Sequence, residues 1–331
     1  MHLVFMSLIS IWKCTFTLAE VTDWGSDVIP KRILIFLTYR TGPSILSAGL
    51  NLTNTSENKT VNENVKEYVK LWEGTPPGHR EGFEIPHIKY FPPKGPATGA
   101  AVITFAGGGY RTRALYECES YCELLSGMGI ACFDVEYRVK PTYFPYPLLD
   151  ARRAVRYVRA NAEKYGIDPK KIAVMGSSAG GHLAAFVSTY TAPIDGEGVD
   201  ELDKVDYLPN AQILCYPVMD NISHNSSYTN LLGEGCTDAE KDSVTPLLWA
   251  SENTPPAFIW HTSSDNCVDV NGSLRYAARL HELNIPVEVH IYPVGGHGLG
   301  LGYYPEKNID EPYVTEWAKN LEKWLKLNKY L

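Results

Sequence analysis

From residue 65 onward, hydrophobic and polar positions alternate in blocks that read as strands and helices taken in turn. Residues 100–105 form a continuous apolar run bounded by turn residues, the pattern of a strand covered on both faces. An earlier strand, 87–91, stops at Pro92-Pro93, and Lys94-Gly95-Pro96 supplies the turn. Residues 115–128 are amphipathic at helical spacing, 130–137 predict the next strand, and 141–147 are a loop rich in proline and tyrosine. In 148–165, Ala151, Ala154, Val155 and Val158 mark one face of a helix and the arginines mark the other.

Further strands are predicted at 211–217, 257–262 and 287–293, with helices at 270–283 and 312–327. This order predicts an α/β fold whose mostly parallel central sheet has helices on both faces. Two stretches interrupt it. Residues 191–209 are an irregular acidic insertion, and 219–244 form a polar segment of the length often found in a lid or binding loop.

The first 64 residues do not share this pattern and are expected to be an N-terminal extension to a domain spanning 65–331. Residues 3–18 are apolar but interrupted by Lys13, a weak signal-like segment, so the expected location is either secreted or cytoplasmic. The apolar run 33–37 is too short for a stable membrane span. Residues 51–64 read as a polar linker with Asn-x-Ser/Thr triplets at Asn51, Asn54 and Asn58, and others occur at Asn221, Asn225 and Asn271.

Composition narrows the function classes. With 44% hydrophobic and 21% charged residues the chain is an ordinary globular one. A net charge of −8 without a basic run argues against nucleic acid as a partner. The seven cysteines are odd in number and scattered, which predicts neither a disulfide framework nor a metal site.

The chemistry centres on residues 171–182, where an apolar run ends in small residues and an alanine-rich helical run follows at once. Gly176, Ser178 and Gly180 give Gly-x-Ser-x-Gly, the nucleophile elbow, in the strand-turn-helix setting that the motif requires. Ser177 lacks the paired glycines and is assigned a structural role. A serine hydroxyl needs a base, and the base needs an acid to orient it. Asp265 follows the strand 257–262, and His297 follows 287–293 in a glycine-rich loop, so Ser178, Asp265 and His297 occur in the order this architecture demands. Asp269, His261 and His290 are weaker rivals, the two histidines falling within strands, and His182 is expected to pack its helix. Gly107-Gly108-Gly109 follows a strand, and the N–H groups of Gly108, Gly109 and Ala179 are the expected oxyanion donors.

Taken together, Gly107-Gly108-Gly109-Tyr110 with Glu117 downstream, Tyr137-Arg138-Val139, Pro147-Leu148-x-Asp150-x-x-Arg153-Ala154-Val155, Asp168-Pro169-x-x-Ile172 and Gly176-x-Ser178-Ala179-Gly180-Gly181-His182 resemble the esterases that include acetylxylan esterases and bifunctional acetylxylan/feruloyl esterases, relatives of the hormone-sensitive-lipase-like group. The resemblance runs from about residue 65 to the C-terminus. It implies an α/β-hydrolase fold and deacetylation of plant-cell-wall xylan or its oligosaccharides, with neither metal nor organic cofactor. Ala106 departs from the Pro or His that relatives often carry before the triple glycine.

Tyr110, Tyr143, Tyr146 and Trp249 are candidates for stacking on sugar faces, and Glu117 is a candidate anchor behind the oxyanion loop. The alternatives are a general short-chain carboxylesterase or lipase and, from another class, a non-catalytic binding protein on a hydrolase fold. An oligopeptidase-type serine peptidase shares the elbow but would need a large propeller domain. The expected partner is an acetylated carbohydrate or another small acyl ester.

Overall fold

The computed structural model describes residues 67–331 and, as backbone alone, two short strands nearer the N-terminus. The signal-like segment, the 51–64 linker with its three triplets, and Cys14 lie outside the described residues. The chain divides into two units, Met1–Val61 and Asn62–Leu331. In the first, β1 (Phe36–Thr41) pairs antiparallel with β2 (Ser44–Gly49), Phe36 opposite Gly49.

The second unit is built on an eight-stranded sheet. In chain order its strands are β3 (Glu67–Lys70), β4 (His87–Phe91), β5 (Ala101–Phe105), β6 (Ala131–Glu136), β7 (Ile172–Ser177), β8 (Ala211–Cys215), β9 (Ala257–Thr262) and β10 (Val287–Tyr292). In space the order is β10-β9-β8-β7-β5-β6-β4-β3. The six strands from β10 to β6 run parallel, and β4 runs antiparallel to both β6 and β3. A two-residue pair, β11 (Tyr303–Tyr304) and β12 (Ile309–Asp310), stands apart from the sheet.

The helices are α1 (Leu115–Gly127), α2 (Tyr146–Ala160), α3 (Ala162–Tyr165), α4 (Ala179–Thr189), α5 (Asn225–Leu232), α6 (Asp238–Ser243), α7 (Pro246–Trp249), α8 (Asn271–Glu282) and α9 (Glu316–Leu327). Side chains alternate across a strand, so a strand without polar positions must be covered twice. Ile103, Phe105, Ile172 and Val174 join one apolar cluster with residues of α2, α4 and α8. Val102, Ala173 and Met175 point the other way, into a second cluster with Tyr121 and Leu125 of α1 and Trp317, Leu321 and Trp324 of α9. Trp317 stacks on Trp260 of β9, with ring centroids 5.1 Å apart. The expected parallel sheet with helices on both faces is what the chain forms.

The arginine face of α2 is not solvated. Arg152, Arg153 and Arg156 are 1%, 3% and 6% exposed. The acidic insertion folds over them: Arg152 pairs with Glu197 at 2.7 Å, Arg153 with Asp200 at 2.5 Å, and Arg156 with Glu197 at 3.0 Å and Asp203 at 3.3 Å. Guanidinium groups this deep require charged or carbonyl acceptors, and Arg152 also reaches the carbonyl of Tyr190. One turn before Arg153 on α2, Asp150 is gripped by Arg138, whose Nη2 and Nε lie 2.7 and 2.8 Å from its two oxygens, and by Trp72 Nε1 at 3.0 Å.

Candidate active site

The end of β7 and the start of α4 meet at Ser178, which has φ +54° and ψ −119°. A positive φ on a non-glycine residue costs about 1–3 kcal/mol and persists only where the surroundings enforce it. Here they do. The Ser178 N–H donates to the Cys215 carbonyl at 3.0 Å, and the Ser178 carbonyl accepts from His182 and Val218. The motif glycines allow this close passage: a Cβ on Gly176 would lie 2.1 Å from the Gly180 carbonyl oxygen, and one on Gly180 would lie 2.1 Å from that of Phe105.

The structure brings Ser178, His297 and Asp265 together. His297 Nε2 lies 2.8 Å from Ser178 Oγ, and His297 Nδ1 lies 2.6 Å from Asp265 Oδ2. Asp265 directly follows β9, and His297 sits in the loop after β10, so all three stand at the carboxyl edge of the parallel strands. The N–H groups of Cys267 and Val268 hold the other oxygen, Asp265 Oδ1, at 2.8 and 2.9 Å. Burial opposes the charge on Asp265, but hydrogen bonds from His261 and His297 and the charge of His297 outweigh it, leaving the carboxyl well below the usual aspartate range.

His261, the weaker rival within β9, does more than fill space. Its Nε2 lies 3.1 Å from Asp265 Oδ2 and its Nδ1 lies 2.8 Å from Ser273 Oγ. With Val268 O also 3.2 Å from Nε2, the proton belongs on Nε2, and Ser273 donates to Nδ1. Two imidazoles therefore share one carboxylate oxygen. The signal in the sequence is the His-x-x-x-Asp spacing at the end of an apolar strand, which does not reveal that the turn folds back onto the histidine.

The glycine loop lies against the serine: a Cβ on Gly107 would come within 3.2 Å of Ser178 Cβ. The Gly107 N–H donates to Glu117 Oε2 at 3.2 Å, whereas the N–H groups of Gly108 and Gly109 make no hydrogen bond among the described residues. Ala179 opens α4, where N–H groups have no acceptor within the helix. Glu117 is buried behind this loop and also accepts from Ser177 Oγ and from Tyr216 Oη at 2.7 Å. Tyr216 packs edge-on against the His297 ring, centroids 5.1 Å apart, and its hydroxyl accepts the Gly300 N–H at 2.9 Å. One carboxylate thus ties the glycine loop, the residue before the serine, and the loop that carries His297.

Other expectations resolve differently. Tyr110 is buried, not presented to a ligand: it is 1% exposed, and its hydroxyl lies 2.6 Å from His182 Nδ1. Trp249 is half-buried, packs on Tyr190 with centroids 4.4 Å apart, and donates from Nε1 to the Ser243 carbonyl. Tyr146 packs under the Arg138 guanidinium, and Tyr143 is half-buried in the loop before α2. Among the described residues no hydrogen bond or ring contact joins Tyr110, Tyr143 or Trp249 to Ser178, His297 or Asp265. His182 is a packing residue: burial pushes its imidazole down to about 3, and Nε2 donates to the Val244 carbonyl at 2.9 Å. Asp269 receives the Asn271 N–H before α8, and His290 bonds Glu288 on β10, so neither rival joins the site.

The 219–244 segment contributes His224, which the sequence did not single out. Its Cε1 would lie 4.0 Å from a Cβ on Gly109, and Cys267 Sγ lies 3.9 Å from its Nε2. Burial first, and then the charge of nearby His297, hold His224 below the usual imidazole range.

The profile of the BD-FAE family matches residues 89–280. An acetylxylan esterase of Xylanibacter ruminicola is 30% identical over 247 residues, 71% of this chain and 47% of that protein. Endo-1,4-beta-xylanase B of Butyrivibrio fibrisolvens is 34% identical over 204 residues, 60% of this chain and 32% of that protein. The chain therefore spans less than half the length of either relative. Among solved structures, an acetyl ester-xyloside bifunctional hydrolase of Caldicellulosiruptor lactoaceticus superposes with a TM-score of 0.74 at 37% identity, covering 83% of this chain and 100% of that one. Among the described residues no helix is long and apolar enough to cross a membrane. The fold is that of the α/β-hydrolases, and the chain belongs to the BD-FAE family.

Proposed function

We propose that this protein is a serine carboxylic-ester hydrolase that removes acetyl and other short acyl groups from xylan or xylooligosaccharides. The observation that carries the reading is the line Ser178–His297–Asp265, bonded at 2.8 and 2.6 Å beside the N–H groups of Gly108 and Gly109, which have no partner among the described residues. Ser178 Oγ attacks the ester carbonyl carbon while its proton passes to His297 Nε2. Asp265 accepts the Nδ1 hydrogen bond, fixes the tautomer and balances the imidazolium charge. The oxyanion accepts hydrogen bonds from Gly108, Gly109 and Ala179, and loss of one such donor typically costs about 3–4 kcal/mol of barrier. Collapse breaks the bond to the sugar oxygen, which leaves with the proton from His297. Water then gives a proton to His297 and attacks the acyl-enzyme, releasing acetate and restoring Ser178.

The names of the two relatives and of the solved hydrolase support the sugar part of this reading. Acetate release from acetylated xylooligosaccharides, run beside hydrolysis of 4-nitrophenyl acetate and butyrate, tests it. Ser178→Ala should lower every activity by at least about a thousandfold and abolish labelling by a fluorophosphonate probe. Full activity in that variant rejects the serine mechanism. Serine-dependent activity confined to the nitrophenyl esters rejects the carbohydrate substrate and favours a general carboxylesterase.

A further inference from the structure

A cavity of about 470 Å³ opens beside the oxyanion loop, with walls that include Phe83, Glu84, Arg111, Arg113, Lys140 and Thr142. Its walls come largely from the segments that follow β5 and β6, and Ser178 follows β7, the strand next to β5. Cavity and serine therefore share the carboxyl edge of the sheet. The link is direct: the N–H groups of Arg111 and Thr112 both donate to the Gly108 carbonyl at 3.1 Å, so the cavity wall and the oxyanion loop are one turn of chain.

The lining is basic in a chain of net charge −8. Arg138 also lines it, but that charge is met by Asp150. Arg113 pairs with the exposed Glu84 at 2.7 Å, and its Nε is buried with no acceptor among the described residues. Lys140 reaches Glu234 outside the cavity at 2.9 Å. Arg111 is exposed, and its side chain has neither ion pair nor hydrogen bond among the described residues. Phe83 is half-buried at the wall without an aromatic partner among them. A concave wall concentrates the field of an uncompensated guanidinium, whose planar fork matches a carboxylate in two parallel hydrogen bonds. An adjoining aromatic ring suits the apolar face of a pyranose.

We propose that this cavity takes a carboxylate-bearing sugar, a uronate carried on the same acetylated chain, with Arg111 holding the carboxylate and Phe83 against the ring. The inference rests on the carbohydrate reading above, and it makes Arg111 a specificity-determining residue for ester groups near an acidic branch.

The test separates binding from turnover. Ser178→Ala protein is titrated calorimetrically with xylotetraose, with the same oligosaccharide bearing one glucuronic acid branch, and with glucose 6-phosphate. Acetate release is then followed from neutral and uronate-branched acetylated xylooligosaccharides with the otherwise unaltered protein and with Arg111→Gln. The acidic oligosaccharide should bind about tenfold more tightly than the neutral one and be deacetylated with a correspondingly higher kcat/KM. The preference should shrink as salt is raised and disappear in Arg111→Gln, while hydrolysis of 4-nitrophenyl acetate stays the same. Equal affinity for the neutral and acidic chains, or a preference that survives Arg111→Gln, overturns the proposal. Sugar phosphate bound as tightly as the uronate chain overturns the carboxylate assignment. Tight uronate binding without acetate release supports the cavity and rejects the ester substrate.

Discussion

Asp150 and Asp265 are both closed off from solvent, and each has both oxygens occupied, yet they are bonded to different kinds of partner. Asp150 meets Arg138, a cation at every accessible pH, in a two-pronged bond reinforced by Trp72. Asp265 meets two imidazoles on one oxygen and two backbone N–H groups on the other. The first arrangement is a brace, whose charges balance before and after any reaction. The second leaves a carboxylate whose partner His297 becomes fully cationic only when it has taken a proton, which is what the proposed mechanism needs. In that mechanism the same side chain is a strut or a working part according to whether its partner exchanges a proton.

Replacing each carboxylate tests that contrast most severely. Asp265→Asn should lower kcat/KM for 4-nitrophenyl acetate by about ten-thousandfold, since the amide no longer holds the productive tautomer, while leaving the protein folded. Asp150→Ala should do the reverse. It strands a buried guanidinium and should cost about 3–5 kcal/mol in urea unfolding, with the activity per folded molecule little changed. An Asp150 variant that folds normally but is inactive would break the distinction.

The sharing of Asp265 by two histidines gives a smaller effect. His261→Phe removes one donor, leaving Asp265 a stronger acceptor for His297 and raising the basicity of that ring. The acid limb of kcat/KM should then move to higher pH by up to about one unit, with roughly a tenfold loss of rate as Asp265 loses its lateral support. His261→Gln, which keeps an N–H donor, should recover most of both. An unmoved limb in His261→Phe would make His261 a packing residue after all.

The smallest effect is on stability against pH. The depressed carboxyl of Asp265 contributes stability that is complete above the ordinary aspartate value of 3.8 and is lost as pH falls through its lower folded value. The difference in unfolding free energy between the parent and Asp265→Asn should therefore be level from about pH 5 to 7 and narrow below about pH 4, measured by urea titration at each pH.

How much of this was visible beforehand follows from what a linear pattern records. The six parallel strands, the elbow and the order Ser178, Asp265, His297 were legible, because burial on two faces and a strained turn impose residue types at fixed offsets. The role suggested for Glu117 was legible for a similar reason, since a carboxylate one turn into the helix after a glycine loop has few donors to meet. The fates of Tyr110 and Trp249 were not. An aromatic ring packs a core or faces a ligand with the same local sequence, and only the position of α4 and α7 decides. The arginines of α2 mark a polar face, but periodicity does not say that the 191–209 insertion will supply carboxylates to cover it. His261 was hidden by its apolar neighbours on β9, and His224 by a segment whose length announced a loop but not its contacts.

Glu117 has a consequence for how the molecule fails. Because it receives the Gly107 amide, the Ser177 hydroxyl and, through Tyr216, the Gly300 amide, the glycine loop, the residue before Ser178 and the loop that carries His297 share one anchor. They open together or not at all. Protection of the Gly107 and Gly300 amides against deuterium exchange should then decay with a single common rate, and activity should be lost on heating at that same rate.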